Sequence, residues 1–186
     1  LIIQLIMIMM VIVGMAPDVR SAAIEGVSFK NAVIEEDIRL SIRGKGLFRY
    51  LGFLKAYVGA LYLEEGKPTE DVLSDSAKRL EIEYFHKIKG EEFGSVTTRL
   101  IAQNTDSKTF ERLLPRIEKF NQMYEDVEPG DRYSLTYIPG KGTELALNGK
   151  SIGVIYGADF ASAVYAIWLG QNPINQSFKQ QLMGPP

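Results

Sequence analysis

The spacing of apolar residues changes twice along this chain, and that order restricts the fold more than any other feature. Up to about residue 88, apolar side chains alternate with polar ones, as in half-buried strands. Residues 93–101 and 110–124 place them every three or four positions, as in amphipathic helices, and alternation returns after residue 131. Because strands and helices come in separate runs, we predict an α+β fold in which a mainly antiparallel β-sheet packs against a layer of helices.

Alternation and turn residues divide the first half of the chain. The alternating runs predict strands over Ile24–Phe29, Val33–Ile42, Leu47–Leu63 and Lys78–Ile88. The third of these is either continuous or broken near Gly52. Pro68 predicts the first turn of a short helix over Pro68–Ser74. Asp106 lies between the two amphipathic segments and is predicted to cap the second of them.

The second half is predicted to form a three-stranded meander followed by two helices. The strands are Arg132–Ile138, Thr143–Leu147 and Ser151–Ile155, and the helices are Ala158–Leu169 and Asn175–Met183. Asn148-Gly149, between two short alternating runs, is the strongest hairpin signal in the chain. Gly170 is predicted to end the first of these helices.

The N-terminal segment has the layout of a secretory signal. Leu1–Met15 is apolar except for Gln4 and has no charged side chain, and the small residues Ser21-Ala22-Ala23 follow a short polar patch. The basic region and initiator Met are missing, so we expect the sequence to begin inside the signal. The run is short of the ~20 residues of a membrane-spanning helix, the alternative interpretation. We therefore predict a truncated signal peptide over residues 1–23, one domain over 24–186 without a membrane span, and a periplasmic or secreted location.

Composition removes several classes of function. The formal net charge is −2, which gives no basic surface for nucleic acid. Cysteine is absent and His86 is the single histidine, so thiol chemistry and a metal site are not expected. The chain contains neither a Gly-x-Ser-x-Gly elbow nor a Walker loop, and Gly44-Lys45-Gly46 lacks the third glycine of a dinucleotide site. No cofactor is predicted.

Two cations in an apolar segment are the strongest pointer to a site. Arg49 and Lys55 lie within the segment FRYLGFLKAYVGALYLEE, residues 48–65. In a continuous strand they would share a face with Leu51, Phe53 and Tyr57. That arrangement predicts a cleft with apolar walls and a cationic end, suited to an amphipathic organic anion. The alternative is that both cations reach the sheet edge and pair with a Glu or Asp of the protein.

Two long segments resemble the chalcone isomerase-like superfamily, and its bacterial exported members in particular. They are GKGLFRYLGFLKAYVGALYLEE (Gly44–Glu65) and NGKSIGVIYGADFASAVYAIWLGQNPINQSFKQQLMG (Asn148–Gly184). The second includes the Trp-Leu-Gly before Pro173 and the terminal Leu-x-Gly that recur in that group. The resemblance runs from about Ile24 to Gly184. It implies an antiparallel sheet backed by helices, with a ligand cleft between them.

The resemblance also implies roles for individual residues. Arg49 matches the arginine that meets the ligand's anionic group, and Tyr57 stands where plant isomerases have a threonine that polarises the substrate ketone. The predicted ligand-binding residues are Arg49, Leu51, Phe53, Lys55, Tyr57 and Phe93. The segment 90–104 departs from the plant enzymes because it lacks their tyrosine and their asparagine at the matching distance.

Three functions follow as hypotheses. The first is an exported, non-catalytic binder of a fatty acid or a similar amphipathic carboxylate, with Arg49 at the head group. The second is an isomerase of the chalcone-to-flavanone type acting on a phenolic ligand. In it, Arg49 and Tyr57 would be catalytic, stabilising the phenolate and polarising the ketone. The third is an interaction protein of the cell envelope in which Arg49 belongs to an internal ion pair.

Overall fold

The computed structural model describes residues 21–66 and 71–184, which form nine strands and four helices. The strands are β1 (Ser21–Ile24), β2 (Val27–Lys30), β3 (Ala32–Glu35), β4 (Ile38–Tyr50), β5 (Leu54–Glu64), β6 (Lys78–Tyr84), β7 (Arg132–Ile138), β8 (Gly142–Leu147) and β9 (Lys150–Ile155). The helices are α1 (Gly90–Asn104), α2 (Ser107–Asn121), α3 (Ala158–Leu169) and α4 (Gln176–Met183). No helix in these two ranges is both long and apolar enough to cross a bilayer.

The strands β3 to β9 form one antiparallel sheet whose spatial order is the chain order. The hairpin β1–β2 forms a separate two-stranded sheet. The predicted α+β class, an antiparallel sheet packed against helices, is confirmed.

The sheet buries apolar residues on both faces. Tyr57 and Leu61 of β5 belong to the larger core, which includes residues of all four helices. Val58 and Tyr62 belong to a smaller core with Phe29 of β2. Because β5 is covered on both sides, its sequence is richer in apolar residues than a half-exposed strand requires.

Turns divide the early strands more finely than alternation predicted. Ile24–Phe29 is broken at Glu25-Gly26, and Val33–Ile42 is broken at Glu36-Asp37, so those two predictions of continuous strands are wrong. Residues at both turns have positive φ, which lets the chain reverse within two residues. The third run is two strands, β4 and β5, joined at Leu51-Gly52-Phe53.

Two other boundaries also differ from prediction. The strand predicted over Lys78–Ile88 ends at Tyr84, and Ile88 forms only an isolated bridge with Val127. Of the helix predicted over Pro68–Ser74, residues 67–70 lie outside the described part of the chain, and residues 71–74 are not helical. The signal peptide predicted over residues 1–23 lies almost wholly outside it, with Ser21–Ala23 at the start of β1.

The predicted helix caps are confirmed. The Asp106 side chain accepts a hydrogen bond from the Thr109 amide at 3.0 Å, and α2 begins at the next residue. The helix α3 has the predicted bounds, and Gly170 caps its C-terminus. Each cap is a single residue at the end of its helix, so it can be recognised from the sequence alone.

The glycines of β4 allow α4 to pack directly on the sheet. A Cβ at Gly44 would lie 2.4 Å from the carbonyl oxygens of Gln181 and Leu182, and one at Gly46 would lie 2.9 Å from the Phe178 ring. The Leu47 amide donates to Gln181 Oε1 at 3.0 Å. The Gly-Lys-Gly segment therefore serves close packing between strand and helix.

Replacing Gly44 with alanine tests this packing. Because the added Cβ meets backbone atoms that cannot rotate away, we expect Gly44→Ala to lower the free energy of unfolding by roughly 1–3 kcal/mol. Gly149→Ala is the control, since it meets no atom within 4 Å. Only its positive φ is unfavourable there, at about 1 kcal/mol. Urea denaturation measures both, and a smaller loss for Gly44→Ala than for Gly149→Ala would contradict the described packing of α4.

Candidate ligand-binding cavity

A cavity of about 450 Å³ lies between the sheet and the helices. Its inner wall consists of side chains from the helix-facing side of the sheet: Phe48, Tyr57, Leu80, Ile82, Tyr84, Tyr133, Leu135 and Leu145. Its helical wall consists of Phe93, Val96, Thr97, Phe120, Ile167 and Trp168, with Tyr124 just after α2. Four lining residues that are exposed mark its opening: Tyr50, Leu54, His86 and Glu92.

Strand alternation makes this wall apolar. In β6 the residues Leu80, Ile82 and Tyr84 line the cavity. The residues between them, Glu81 and Glu83, form ion pairs with arginines and do not line it. No Lys or Arg belongs to the lining formed by the described residues, and its one carboxylate is Glu92 at the opening. The cavity therefore suits an uncharged, apolar molecular body.

The inner cavity contains the Thr97 hydroxyl and four phenols that remain neutral. Burial raises the pKa of Tyr57, Tyr84 and Tyr124 well above the ordinary tyrosine value, and it raises the pKa of Tyr133 to about 12. The Tyr124 hydroxyl is hydrogen-bonded to Thr97 Oγ1 at 3.0 Å. The Tyr133 hydroxyl donates to the Glu125 carbonyl at 2.9 Å. Both of these hydroxyls have protein partners.

Tyr57 differs because its hydroxyl is buried and has no hydrogen-bond partner. Its ring stacks on Phe48 at 4.7 Å between centroids and meets Phe178 edge to face. Burial raises the pKa of Tyr57 more than the nearby Trp168 side chain lowers it. Trp168 does not form a hydrogen bond with the Tyr57 hydroxyl. An unpaired buried hydroxyl is unfavourable, so this group can gain from a polar atom of a ligand.

The two cations of the predicted site have a protein partner outside the cavity lining. Arg49 lies 3.7 Å and Lys55 2.5 Å from carboxylate oxygens of Glu25, in the β1–β2 turn. Their side chains are 42% and 48% exposed. The sequence left open whether the two cations face a ligand cleft or pair with a carboxylate of the protein. In the structure both pair with the Glu25 carboxylate. Binding of a ligand's anionic group by Arg49 stays a prediction that this geometry does not support.

A β-bulge separates Tyr57 from these cations. Arg49 pairs with Lys55 and Phe48 with Tyr57, so Ala56 is the extra residue in β5. Ala56 and Tyr57 line the cavity and Lys55 does not. The prediction that Tyr57 shares a face with both cations is therefore wrong, because it assumed strict alternation across this irregularity.

The remaining predicted residues divide between two places. Phe93 of α1 lines the cavity, as Tyr57 does. Leu51 and Phe53 lie in the β4–β5 turn, are exposed, and do not line it. Sequence reasoning missed Tyr84, Tyr124 and Trp168 as lining residues. Their apolar-face positions were visible, but the pattern of a cavity wall is the same as that of a filled core.

Comparison with known proteins is consistent with this architecture. Residues 21–184 match the family model described as chalcone isomerase-like. The chain belongs to the chalcone isomerase-like family. The crystal structure of a fatty-acid binding protein from Arabidopsis thaliana superimposes with a TM-score of 0.69 at 13% identity. The match covers 88% of this chain and 96% of that one, and it shows a shared fold. A search of curated proteins found no match.

The buried phenols predict how stability responds to alkaline pH. Their pKa values are raised in the folded protein, so above the ordinary tyrosine pKa of about 10 the unfolded chain loses protons that the folded chain keeps. The contribution of these groups is complete below that pH and is lost as pH rises further. We expect the free energy of unfolding to fall steeply above pH of about 10.

Urea titrations across this range measure the effect, and phenolate absorbance gives an independent check. Absorbance from the buried tyrosines should increase together with unfolding, as judged by circular dichroism. Phenolate formation by all tyrosines before any loss of structure would contradict the described burial.

Proposed function

We propose that this protein is an exported, non-catalytic binder of a fatty acid or a similar single-chain amphipathic lipid, which it holds in the cavity between sheet and helices. The observation that carries the proposal is the cavity itself. Its volume of about 450 Å³ falls within the roughly 300–1,000 Å³ of small-molecule sites. The fold shared with a protein described as fatty-acid binding adds support.

The lack of a cation in the described lining determines the orientation of such a ligand. A carboxylate buried among these side chains would have no cation beside it in the described lining, which is strongly unfavourable. The apolar chain therefore enters first and the head group stays at the opening, in contact with water. His86 lies there, its Nε2 atom 2.9 Å from the Lys55 carbonyl oxygen.

Isomerisation has less support from the same geometry. Ring closure of a chalcone needs a group that stabilises phenolate charge as the reaction proceeds. The lining supplies neutral phenols, and Arg49, the group proposed for that purpose, pairs with Glu25. Tyr57 alone could donate a hydrogen bond to a ketone, which serves binding as well as catalysis.

The location outside the cytoplasm rests on the N-terminal segment. The apolar run Leu1–Met15 and the small residues after it support export. The mass of the protein recovered from the envelope or medium of its host tests this part separately.

Filling the cavity tests the binding function. Native mass spectrometry of the protein purified without added lipid is expected to show a bound ligand, which solvent extraction identifies. Val96 lines the cavity from α1, so Val96→Trp should occupy the space and reduce bound ligand at least about tenfold. Ser95→Trp is the control, since Ser95 is the neighbouring, exposed residue of the same helix.

Arg49→Ala distinguishes a head group bound by Arg49 from a head group that stays at the cavity opening in contact with water. Because Arg49 is outside the lining, we expect the ligand to be retained. Loss of ligand in Arg49→Ala would restore the sequence-based role of this cation. An empty wild-type protein that also takes up no added fatty acid would contradict the proposed function.

Removing the unpaired hydroxyl tests the role of Tyr57. In ligand-free protein we expect Tyr57→Phe to raise the free energy of unfolding by about 1 kcal/mol, because it removes a buried group without a partner. Tyr124→Phe is the matched control and should lower it by about 1 kcal/mol, since it breaks the bond to Thr97. Urea denaturation of delipidated protein compares them. A loss of stability in Tyr57→Phe equal to that in Tyr124→Phe would show that the hydroxyl has a partner.

A further inference from the structure

The turn between β4 and β5 exposes an uninterrupted apolar segment, Tyr50-Leu51-Gly52-Phe53-Leu54, which we call the β4–β5 tip. Its four large side chains are 55%, 72%, 74% and 42% exposed, in chain order. They account for four of the six exposed large hydrophobic residues in the described part of the chain. Scattered exposed apolar residues need no explanation, but a contiguous group of them indicates an interaction site.

Other turns of the same chain show that this composition is not required by the backbone. Leu51-Gly52 has φ values of 52° and 80°, and Asn148-Gly149 has 52° and 79°. Glu25-Gly26 has similar φ values of 51° and 82°. Leu51 is the one apolar residue among the described non-glycine residues with positive φ. Leucine is disfavoured at positive φ, and an exposed leucine contributes no burial energy. Leu51 therefore does not contribute to the stability of the turn.

The residues of the hairpin end are arranged in rows of decreasing polarity toward the turn. Arg49 pairs with Lys55, then Tyr50 pairs with Leu54, and the turn follows. Successive rows are roughly 3.3 Å apart, so the turn lies on the order of 7 Å beyond the cations. That distance matches the ~5–10 Å by which apolar groups of peripheral proteins enter a membrane interface. Cations at the head groups and tyrosine at the boundary suit this depth.

The size of the tip favours a bilayer over a protein partner. Four partly exposed side chains offer a few hundred Å² (~150–250 Å² for a whole aromatic side chain). A stable protein interface needs about 800 Å² from each partner. A lipid surface requires no matching shape. Arg49 and Lys55 together exceed their shared partner Glu25 by one positive charge, which offsets the Glu92 carboxylate at the cavity opening.

The tip is continuous with the opening of the cavity. Tyr50 and Leu54 belong to the tip and also line the cavity, next to His86. We propose that the β4–β5 tip inserts into the surface of a phospholipid bilayer and so places the cavity opening against the membrane, where a lipid ligand can pass directly between bilayer and protein. The transfer step rests on the proposed lipid-binding function, whereas insertion of the tip does not.

A fluorophore at the tip measures insertion directly. The chain has no cysteine, so Leu51→Cys and Asn148→Cys each give one labelling site, and the two positions have the same φ of 52°. Each is labelled with the same polarity-sensitive dye and mixed with vesicles of phosphatidylcholine and phosphatidylglycerol. We expect a blue shift and quenching by brominated lipid at position 51, and neither at position 148. A label reports on its own position, whichever other part of the chain meets the membrane.

Several outcomes would overturn the proposal. An equal response at both positions, or none at position 51, excludes insertion of the tip. A response at position 51 that appears without vesicles and grows with protein concentration assigns the tip to self-association. Unfolding midpoints of the labelled proteins matching that of the wild type ensure that the comparison concerns folded chains.

A second variant separates docking from ligand binding. The double variant Leu51→Asn, Phe53→Ser gives position 51 the residue of the chain's own Asn-Gly turn and leaves the cavity lining intact. We expect uptake of oleic acid from vesicles to slow at least about tenfold, with the amount bound from lipid-free solution unchanged. An unchanged uptake rate would contradict transfer through the tip. If neither protein binds oleic acid but the labelled tip still inserts, the binding function fails and docking stands.

Discussion

The need to cover the helix-facing side of a wide sheet organises this structure. Residues Leu80, Ile82 and Tyr84 of β6 face the helices, as do their counterparts on neighbouring strands, and such an apolar surface must be removed from water. The glycines of β4 let α4 lie directly on the strands there, with Phe178 inserted into the core. Beyond Phe178, aromatic side chains such as Tyr57, Tyr84 and Phe93 line the region between the sheet and the other helices. A space about 450 Å³ in volume is left between them.

The ion pairs of β6 and β7 are separated from this space by the same alternation. On the opposite face of the sheet, Glu81 is buried between Arg79 and Arg132, with N–O distances of 2.9 and 3.2 Å. Arg132 also lies over the Phe29 ring of the β1–β2 hairpin. The buried Glu81 carboxylate is therefore paired on that face, away from the cavity. The polar groups of the inner cavity are the Thr97 hydroxyl and phenols that burial keeps protonated.

The hairpin β4–β5 connects the interior to the surface. One side of its end contributes Phe48 and Tyr57 to the cavity, and the turn beyond presents leucine and phenylalanine to the surroundings. A carrier of poorly soluble molecules must load them where they are abundant, which is in membranes. In the proposed lipid-binding function, the apolar cavity would store the ligand and the apolar tip beside its opening would load it.

The sequence by itself determined the α+β class, the order of the elements from Lys78 onward, the ends of the later helices and the Asn148-Gly149 turn. Each of these depends on a period of two or 3.6 residues, or on a cap or turn residue beside the element it ends. Resemblance to the chalcone isomerase-like superfamily supplied the cleft between sheet and helices. Tyr57 and Phe93 were among the predicted site residues, although strand alternation assigned Tyr57 to the wrong face.

Only the tertiary structure decided which charges meet and whether the core is filled. Arg49 finds Glu25 because the β1–β2 hairpin lies beside the end of β4–β5, a contact between segments far apart in the chain. The bulge at Ala56 turns Tyr57 inward, away from Lys55, through pairing with the neighbouring strand. The cavity is the space left where the sheet and the helices do not fit closely, so its presence depends on several segments together. Periodicity specifies which side of an element is apolar, whereas packing density is set by how separate elements fit together.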